Sequence, residues 1–231
     1  MRSARLLAIS LAGCLAWPAA WAAPLRAALF DVAPYAMRSA EGQVGGRYPE
    51  LLRALAREAG LTLEVELLPF ARIAPQLRDG AADLTVGFAT AGLEAAALPL
   101  GEVLSVESLV VTSRQRPARQ VAELAGFVIG RARGGCQDRE RQALPGLTFT
   151  EVNHFASGLR MLALGRLDGL CLTREVLQHY GRETGVTPAQ LDPEIVISRR
   201  SAQLFVRRDL DPQLRQRLAE ALPRALARRP H

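Results

Sequence analysis

The side chains with the most chemical reach stand just after short apolar runs. Tyr35 follows Pro34 behind the run LRAALFDV, Arg72 lies in the segment PFAR, and Phe88, Ala89 and Thr90 close the run ADLTVGF. In the second half, Arg131 and Arg133 lead into Gly134, Gly135 and Cys136, and Thr173 and Glu175 follow the run LDGLCL. A guanidinium holds a carboxylate through two parallel hydrogen bonds. Glycines ahead of a helix leave unpaired N–H groups and let an anion approach the backbone closely. An aromatic ring adds a stacking face and a threonine hydroxyl a polar handle. Together these types suit the binding of a small polar, anionic solute on Arg72, Phe88, Thr90, Arg131, Gly134 and Gly135, with Tyr35 and Thr173 at the neighbouring strand ends. Each has a plainer reading beside it: arginines as solvated surface, glycines as turns, Tyr35 as a rim packing residue.

Catalytic strings are missing. The sequence holds no GxSxG, HExxH, P-loop or GxGxxG pattern, and His154, His179 and His231 lie far apart without paired ligands. No metal and no cofactor are expected. Glu151 and Glu175 are the carboxylates that an enzyme built on these elements would use as general acid and base, but no spacing makes them a pair.

Apolar residues make up 49% of the 231 and charged ones 23%, which is a globular balance and not a disordered one. All 29 basic residues are arginine, and they are interspersed with 23 acids and few aromatics. A net charge of +6 in that form reads as a solvated arginine surface, so no nucleic-acid partner is expected.

The N-terminus sets the compartment. MRSAR is a basic start, LLAISLAGCLAW is apolar, and Ala20-Trp21-Ala22 is a small-x-small cleavage box, so residues 1–22 read as a signal peptide. The alternative is a lipoprotein: Leu11-Ala12-Gly13-Cys14 resembles a lipobox, with Cys14 acylated. Either route leads to the periplasm, and no other stretch approaches the ~20 apolar residues of a membrane span.

The elements that must position the candidate residues alternate. LRAALFDV is a strand. Leu51, Leu52, Leu55 and Ala59 recur at helical spacing up to Gly60, LTLEVELL alternates as a half-buried strand, FARIAPQLRDG is a short helix, and ADLTVGF a strand. Such crossovers specify a parallel sheet covered by helices, with ligands beyond the strand carboxyl ends. A second unit begins at Phe127: FVIGRA a strand, GGCQDRERQAL a helix, LTFTEV a strand, SGLRMLALG a helix capped by Ser157, LDGLCL a strand, TREVLQHY a helix. Asp209-Leu-Asp-Pro caps a final helix, LRQRLAEALPRALARR, whose place is on the first unit. The expected fold is α/β, a two-lobed clamshell of mostly parallel sheets flanked by helices. Lobe 1 takes residues 23–105 and 208–231, lobe 2 takes 106–207, and hinge strands lie near 104–112 and 202–207.

The order of a Pro-Tyr turn, a glycine-bounded helix and REAGLTLEVELLPFARIAPQLRDGAADLTVGF resembles the first lobe of periplasmic solute-binding proteins of the amino-acid type, solute-binding family 3. The resemblance implies the type II periplasmic-binding fold, hinge closure on a solute and delivery to a membrane transporter permease by a monomer. It also implies an aromatic at Tyr35 stacking on the ligand. The chain departs from the family where an arginine should follow the third strand (Thr90-Ala-Gly-Leu stands there), where a serine or threonine should follow the lobe-two glycine (Gly135), and where an aspartate should take the amino group (Thr173). Arginine at the place of Arg72 is similar to a subgroup. Two other roles stay open: a sensor or accessory protein of the same fold, and a cyclohexadienyl-dehydratase-like enzyme.

Cutting after Ala22 leaves Cys136 and Cys171. Both sit near strand carboxyl ends of one lobe, where neighbouring strands are ~5 Å apart, within reach of the ~4.4–6.8 Å between Cα atoms that a disulfide needs. An oxidising periplasm permits the pairing; two buried thiols are the alternative.

Overall fold

The computed structural model describes residues 23–132, 135–136, 146–187, 190–191 and 194–228. The signal-peptide reading, Cys14, Gly134 and nearly all of the expected helix after Gly135 lie outside the described residues.

Lobe 1 starts with β1 (Leu25–Phe30), a small ribbon of β2 (Met37–Arg38) and β3 (Val44–Gly45), then α1 (Arg47–Glu58), β4 (Leu63–Leu68), α2 (Phe70–Arg78), β5 (Leu84–Gly87) and α3 (Ala91–Ala96). β6 (Ala97–Thr112) leads to a 3-10 turn (Val121–Leu124), β7 (Val128–Ala132), β8 (Thr148–Val152), α4 (Phe155–Ala163), β9 (Gly169–Thr173) and α5 (Arg174–Thr184). The chain returns on β10 (Ile195–Arg207) and ends in α6 (Pro212–Ala227). Among the described residues the strand order is β4-β1-β5-β10-β6-β9-β7-β8, so one curled sheet runs through both lobes. β1 is parallel to β4 and β5, β7 is parallel to β8 and β9, and β6 and β10 run antiparallel to each other between the two sets.

The two crossing strands are longer than the sequence suggests. β6 begins at Ala97 and β10 at Ile195, and they pair along their length with register shifts near Val196, Ala202 and Leu204. A sequence window cannot separate one long bent strand from a loop followed by a short one. Pro99 and Gly101 sit inside β6, and the space a Gly101 side chain would fill is taken by Leu222 of α6. The final helix thereby seats on lobe 1, with Leu218, Ala221, Leu222 and Ala225 buried and α1 alongside.

Local signals explain most boundaries. α1 buries Leu51, Leu52, Leu55 and Ala56, and Gly60 follows its end in the left-handed region (φ 65°). Arg217 of α6 donates to the Ala59 carbonyl at 2.6 Å, closing that end. In β4 the exposed Glu64 and Glu66 alternate with part-buried neighbours, as the sequence pattern requires of an edge strand. Asp211 caps α6 by accepting from the Leu214 N–H at 2.9 Å. The expected cap of α4 is corrected: His154 holds the N-cap place without a side-chain bond, and the Ser157 hydroxyl donates back to the His154 carbonyl at 2.8 Å. Among the described residues no helix is long and apolar enough to cross a membrane.

Candidate functional site

The carboxyl ends of β1 and β5 face those of β7 and β9 across a cavity of about 410 Å3, inside the ~300–1,000 Å3 typical of small-molecule sites. Lobe 1 contributes Phe30, Val32, Phe70, Ile73, Phe88 and Leu93, and lobe 2 contributes Phe155, Leu172 and Val176, so the walls are largely apolar. α2 supplies Phe70 and Ile73 from the face it turns inward, and Phe70 meets Phe30 edge-on with ring centroids 5.7 Å apart.

Tyr35, Phe88, Thr90, Gly135 and Thr173 line this cavity, as do both cysteines. Arg72 does not. It lies on the outward face of α2, exposed, because the inward positions of that helix go to Phe70, Ile73 and Leu77. Arg131 is also absent from the lining. Its Nη1 reaches the carbonyls of Gly135 and Cys136 at 3.5 and 3.4 Å, and Glu151 lies 3.7 Å from Nη2. Arg131 thus holds the glycine-bearing loop, and Glu151 is committed to it.

The cation in the cavity wall is one the sequence did not single out. Arg200, on β10, packs its guanidinium over the Phe88 ring at 4.7 Å and donates to the Ala89 carbonyl at 2.8 Å. Among the described lining residues it is the one with a formal charge. The signal was present in ISRRSAQLF, where a charged pair interrupts an apolar run. The sequence places the hinge strand near 202–207, seven residues after β10 begins at Ile195, and so leaves Arg200 in the return segment before it.

Tyr35 takes a different part from the one expected. Its ring stacks on Tyr48, with centroids 5.2 Å apart and planes 16° from parallel, and only 4% of the residue is exposed. Its hydroxyl crosses to lobe 2, donating to Glu175 Oε2 at 2.8 Å with Thr173 Oγ1 at 2.9 Å. A phenol has one hydrogen. With that hydrogen on Glu175, the Thr173 hydroxyl is the donor in the second contact, while Thr173 Oγ1 accepts from the Val176 N–H at 3.4 Å as the cap of α5. The result is a relay from backbone N–H through Thr173 and Tyr35 to a carboxylate. Burial pushes the Tyr35 hydroxyl far above its ordinary value, the Thr173 bond opposes this, and the nearby Glu175 charge adds to it. Tyr180 of α5 makes a second crossing through a hydrogen bond with the Ala33 backbone, and burial raises its value as well.

Beside this relay, Arg174 turns the other way. It bonds Glu107 of β6 at 3.0 Å and pairs with Glu194, while Arg199 of β10 reaches Glu107 at 2.7 Å. Hydrogen bonds from Arg174 and then Arg199 hold the Glu107 carboxyl below the usual range. The residues that meet lobe 1 are therefore anchored to both crossing strands.

Cys136 and Cys171 are paired, with Cα atoms 6.2 Å apart. Closing a loop across 35 positions stabilises a folded lobe by about 3–4 kcal/mol in the chain-entropy account. The mature protein, denatured without reductant, is expected to show no reactive thiol; two thiols per chain by a thiol-reactive dye mean the bond does not form. Among the described residues no cluster of His, Cys, Asp or Glu is arranged to hold a metal.

Two α/β lobes sharing a pair of long crossing strands, with a cavity between strand carboxyl ends, define a solute-binding protein. Residues 27–227 match the bacterial extracellular solute-binding proteins, family 3, and the chain belongs to that family. Its fold is similar to an ancestral arginine-binding protein bound to arginine (17% identity, 88% of this chain and 92% of that one, TM-score 0.75). Holo ArgBP from T. maritima is also similar (20% identity, 89% and 91% covered, TM-score 0.71). So is the amino acid ABC transporter substrate-binding protein AbpA from Streptococcus pneumoniae bound to L-arginine (18% identity, 87% and 88% covered, TM-score 0.71). The curated proteins include no match to this sequence.

Proposed function

We propose that the protein is the exported binding component of a transport system and that its solute is a small carboxylic acid with an apolar body. The observation that supports this reading is Arg200 standing in a wall that is otherwise uncharged among the described residues and largely aromatic and aliphatic. A carboxylate fits the guanidinium, and the body fits against Phe30, Phe70 and Phe155. Thr90 adds a donor: its oxygen accepts from the Leu93 N–H at 3.3 Å, which leaves its own hydrogen for the ligand. Arginine, which several structural relatives hold, is a poor fit, since no carboxylate is among the described lining residues to meet its guanidinium. Hinge bending along β6 and β10 closes the lobes, and a membrane permease receives the solute.

The enzyme reading loses support from the same geometry. Glu151 is paired with Arg131 and Glu175 with Tyr35, and neither lines the cavity.

Titration calorimetry of the mature protein against aromatic and branched aliphatic carboxylates, dicarboxylates, amino acids and prephenate-like acids tests the reading. Binding of the first group without turnover is expected. Arg200→Ala should weaken that binding roughly ten- to a hundredfold, the ~1.5–3 kcal/mol of a hydrogen bond to a charged group. Arg72→Ala should leave it within about twofold, as an exposed residue away from the cavity does. Equal affinities of wild type and Arg200→Ala would remove Arg200 from the site.

Export makes its own prediction. The N-terminal pattern places the mature start at Ala23, and mass spectrometry of protein recovered from the periplasm checks it. An acylated Cys14 retained on the chain would make the protein a lipoprotein instead.

A further inference from the structure

The relay between the lobes bears on which solutes the cavity refuses. An α-amino acid and the acid of the same skeleton without the amino group differ by one ammonium, and an ammonium taken out of water needs acceptors, best a carboxylate. On the lobe-2 side of the cavity two side chains could serve. Thr173 lines the cavity, and Glu175 lies two residues on, at the start of α5. Both are already engaged by one group. The Tyr35 hydroxyl gives its hydrogen to Glu175 and takes one from Thr173. Tyr35 itself is held from behind by Tyr48 and by backbone bonds that fix its turn, Tyr35 N–H to the Val32 carbonyl at 2.9 Å and Tyr48 N–H to the Tyr35 carbonyl at 2.8 Å.

We infer that Tyr35 is the specificity-determining residue that excludes ammonium-bearing solutes, by standing in place of the ammonium against Thr173 and Glu175. The inference rests on the reading of this cavity as the solute site, and it deepens that reading from a carboxylic acid to one without an α-amino group. Three observations converge. The phenol is a fixed donor, because burial keeps it protonated at any working pH. The hydroxyl is placed by a ring that is itself buried and stacked, so it cannot swing aside without unpacking Tyr48. Arg200 is the formally charged side chain among the described lining residues, and a guanidinium there suits an acid and not an ammonium.

Removing one oxygen tests this. Tyr35→Phe keeps the stacked ring and releases Thr173 and Glu175 towards the cavity. The probes are 3-phenylpropanoate and L-phenylalanine, which share a skeleton, titrated into the mature wild type, Tyr35→Phe, and Tyr35→Phe combined with Glu175→Gln. Wild type should prefer 3-phenylpropanoate at least tenfold. In Tyr35→Phe the preference should shrink tenfold or more, chiefly through tighter L-phenylalanine binding, and Glu175→Gln should cancel that gain because an amide cannot neutralise an ammonium. A gain of L-phenylalanine binding in Tyr35→Phe supports the inference even if wild type binds neither probe. If Tyr35→Phe weakens both probes alike or leaves their ratio unchanged, the inference is overturned while the acid-binding site stands. If neither probe binds any of the three proteins, the inference is overturned, and the acid-binding reading is decided separately by the branched aliphatic carboxylates.

Discussion

Gly46→Ala should unfold the protein at markedly lower temperature and loosen the solute site with it. Gly46 is the N-cap of α1, with φ 106° and ψ 175°. That is a region essentially reserved for glycine, and a side chain held there costs of order 1–3 kcal/mol. A second penalty comes from space. A Cβ at Gly46 would sit 2.8 Å from the Tyr35 carbonyl oxygen and 2.9 Å from that of Pro34, and both are backbone atoms that cannot rotate away. These same carbonyls accept the first free N–H groups of α1, from Tyr48 at 2.8 Å and Arg47 at 3.2 Å, so the close approach is how the helix end is satisfied. Strain and clash together should take about 2–4 kcal/mol from stability. The relief available is to push the Pro34–Tyr35 turn outward, which carries the Tyr35 hydroxyl away from Glu175. Thermal denaturation and solute titration should therefore both respond. Gly45→Ala is the control: nothing lies within 4 Å of its would-be Cβ and its φ is not in the left-handed region, so it should stay within about 0.5 kcal/mol of wild type. A Gly46→Ala protein as stable as Gly45→Ala would refute the account.

What could be read from residues alone follows from the range of the forces involved. Leu51, Leu52 and Leu55 announce α1, Glu64 and Glu66 announce the outer face of β4, and the segment Asp209-Leu-Asp-Pro announces the start of α6, because helix and strand periods and caps act over a few positions. The α/β class and the two-lobed build were legible for the same reason, being the repetition of one local unit. The site was legible only in outline. Strand ends located Tyr35, Phe88, Thr90, Gly135 and Thr173 at the cavity, since strand direction fixes which edge they reach. It did not tell Arg72 from Arg200. Which face of α2 turns inward is decided by Phe70, Ile73 and Leu77 packing together. Where β10 begins is decided by its pairing with β6, a partner some ninety positions away as in the match of Arg199 with Glu107. The part taken by Tyr35 was hidden too, because its partners Thr173 and Glu175 come from the other lobe, 138 and 140 positions along the chain.

Asp83→Ala should be about as damaging as Gly46→Ala, and its effect should depend on pH. Asp83 precedes β5 at the edge of lobe 1 away from the cavity, where the start of β1 and the end of β10 meet. Its own N–H donates to the Arg26 carbonyl at 2.7 Å and its carbonyl accepts from the Arg207 N–H at 2.9 Å. The carboxylate adds bonds from the Arg26 N–H at 2.8 Å, the Arg26 guanidinium at 3.1 Å and Arg207 Nε at 3.0 Å. Burial alone would push this carboxyl up; the bonds from Arg26 and then Arg207 outweigh it and hold it below the usual range. Removing a buried partner of this kind costs about 3–5 kcal/mol when the remaining charge is sealed in. Here the side chain of Arg26 is 44% exposed and that of Arg207 22%, and Arg207 keeps Asp209 at 2.7 Å. Water and Asp209 therefore take up part of the loss, and about 2–4 kcal/mol is expected, of order 10 °C in Tm for a protein of this size. The sign with pH follows from the direction of the shift. A carboxyl whose folded value is depressed contributes its full stability above the unfolded value of about 4, and that contribution disappears as pH falls through the lower folded value. The gap in stability between wild type and Asp83→Ala should thus be constant from neutral pH down to about pH 5 and narrow only below about pH 4. Urea denaturation of both proteins across that range measures it, and a gap that widens on acidification would contradict the assignment of Asp83 as the ionised centre of this cluster.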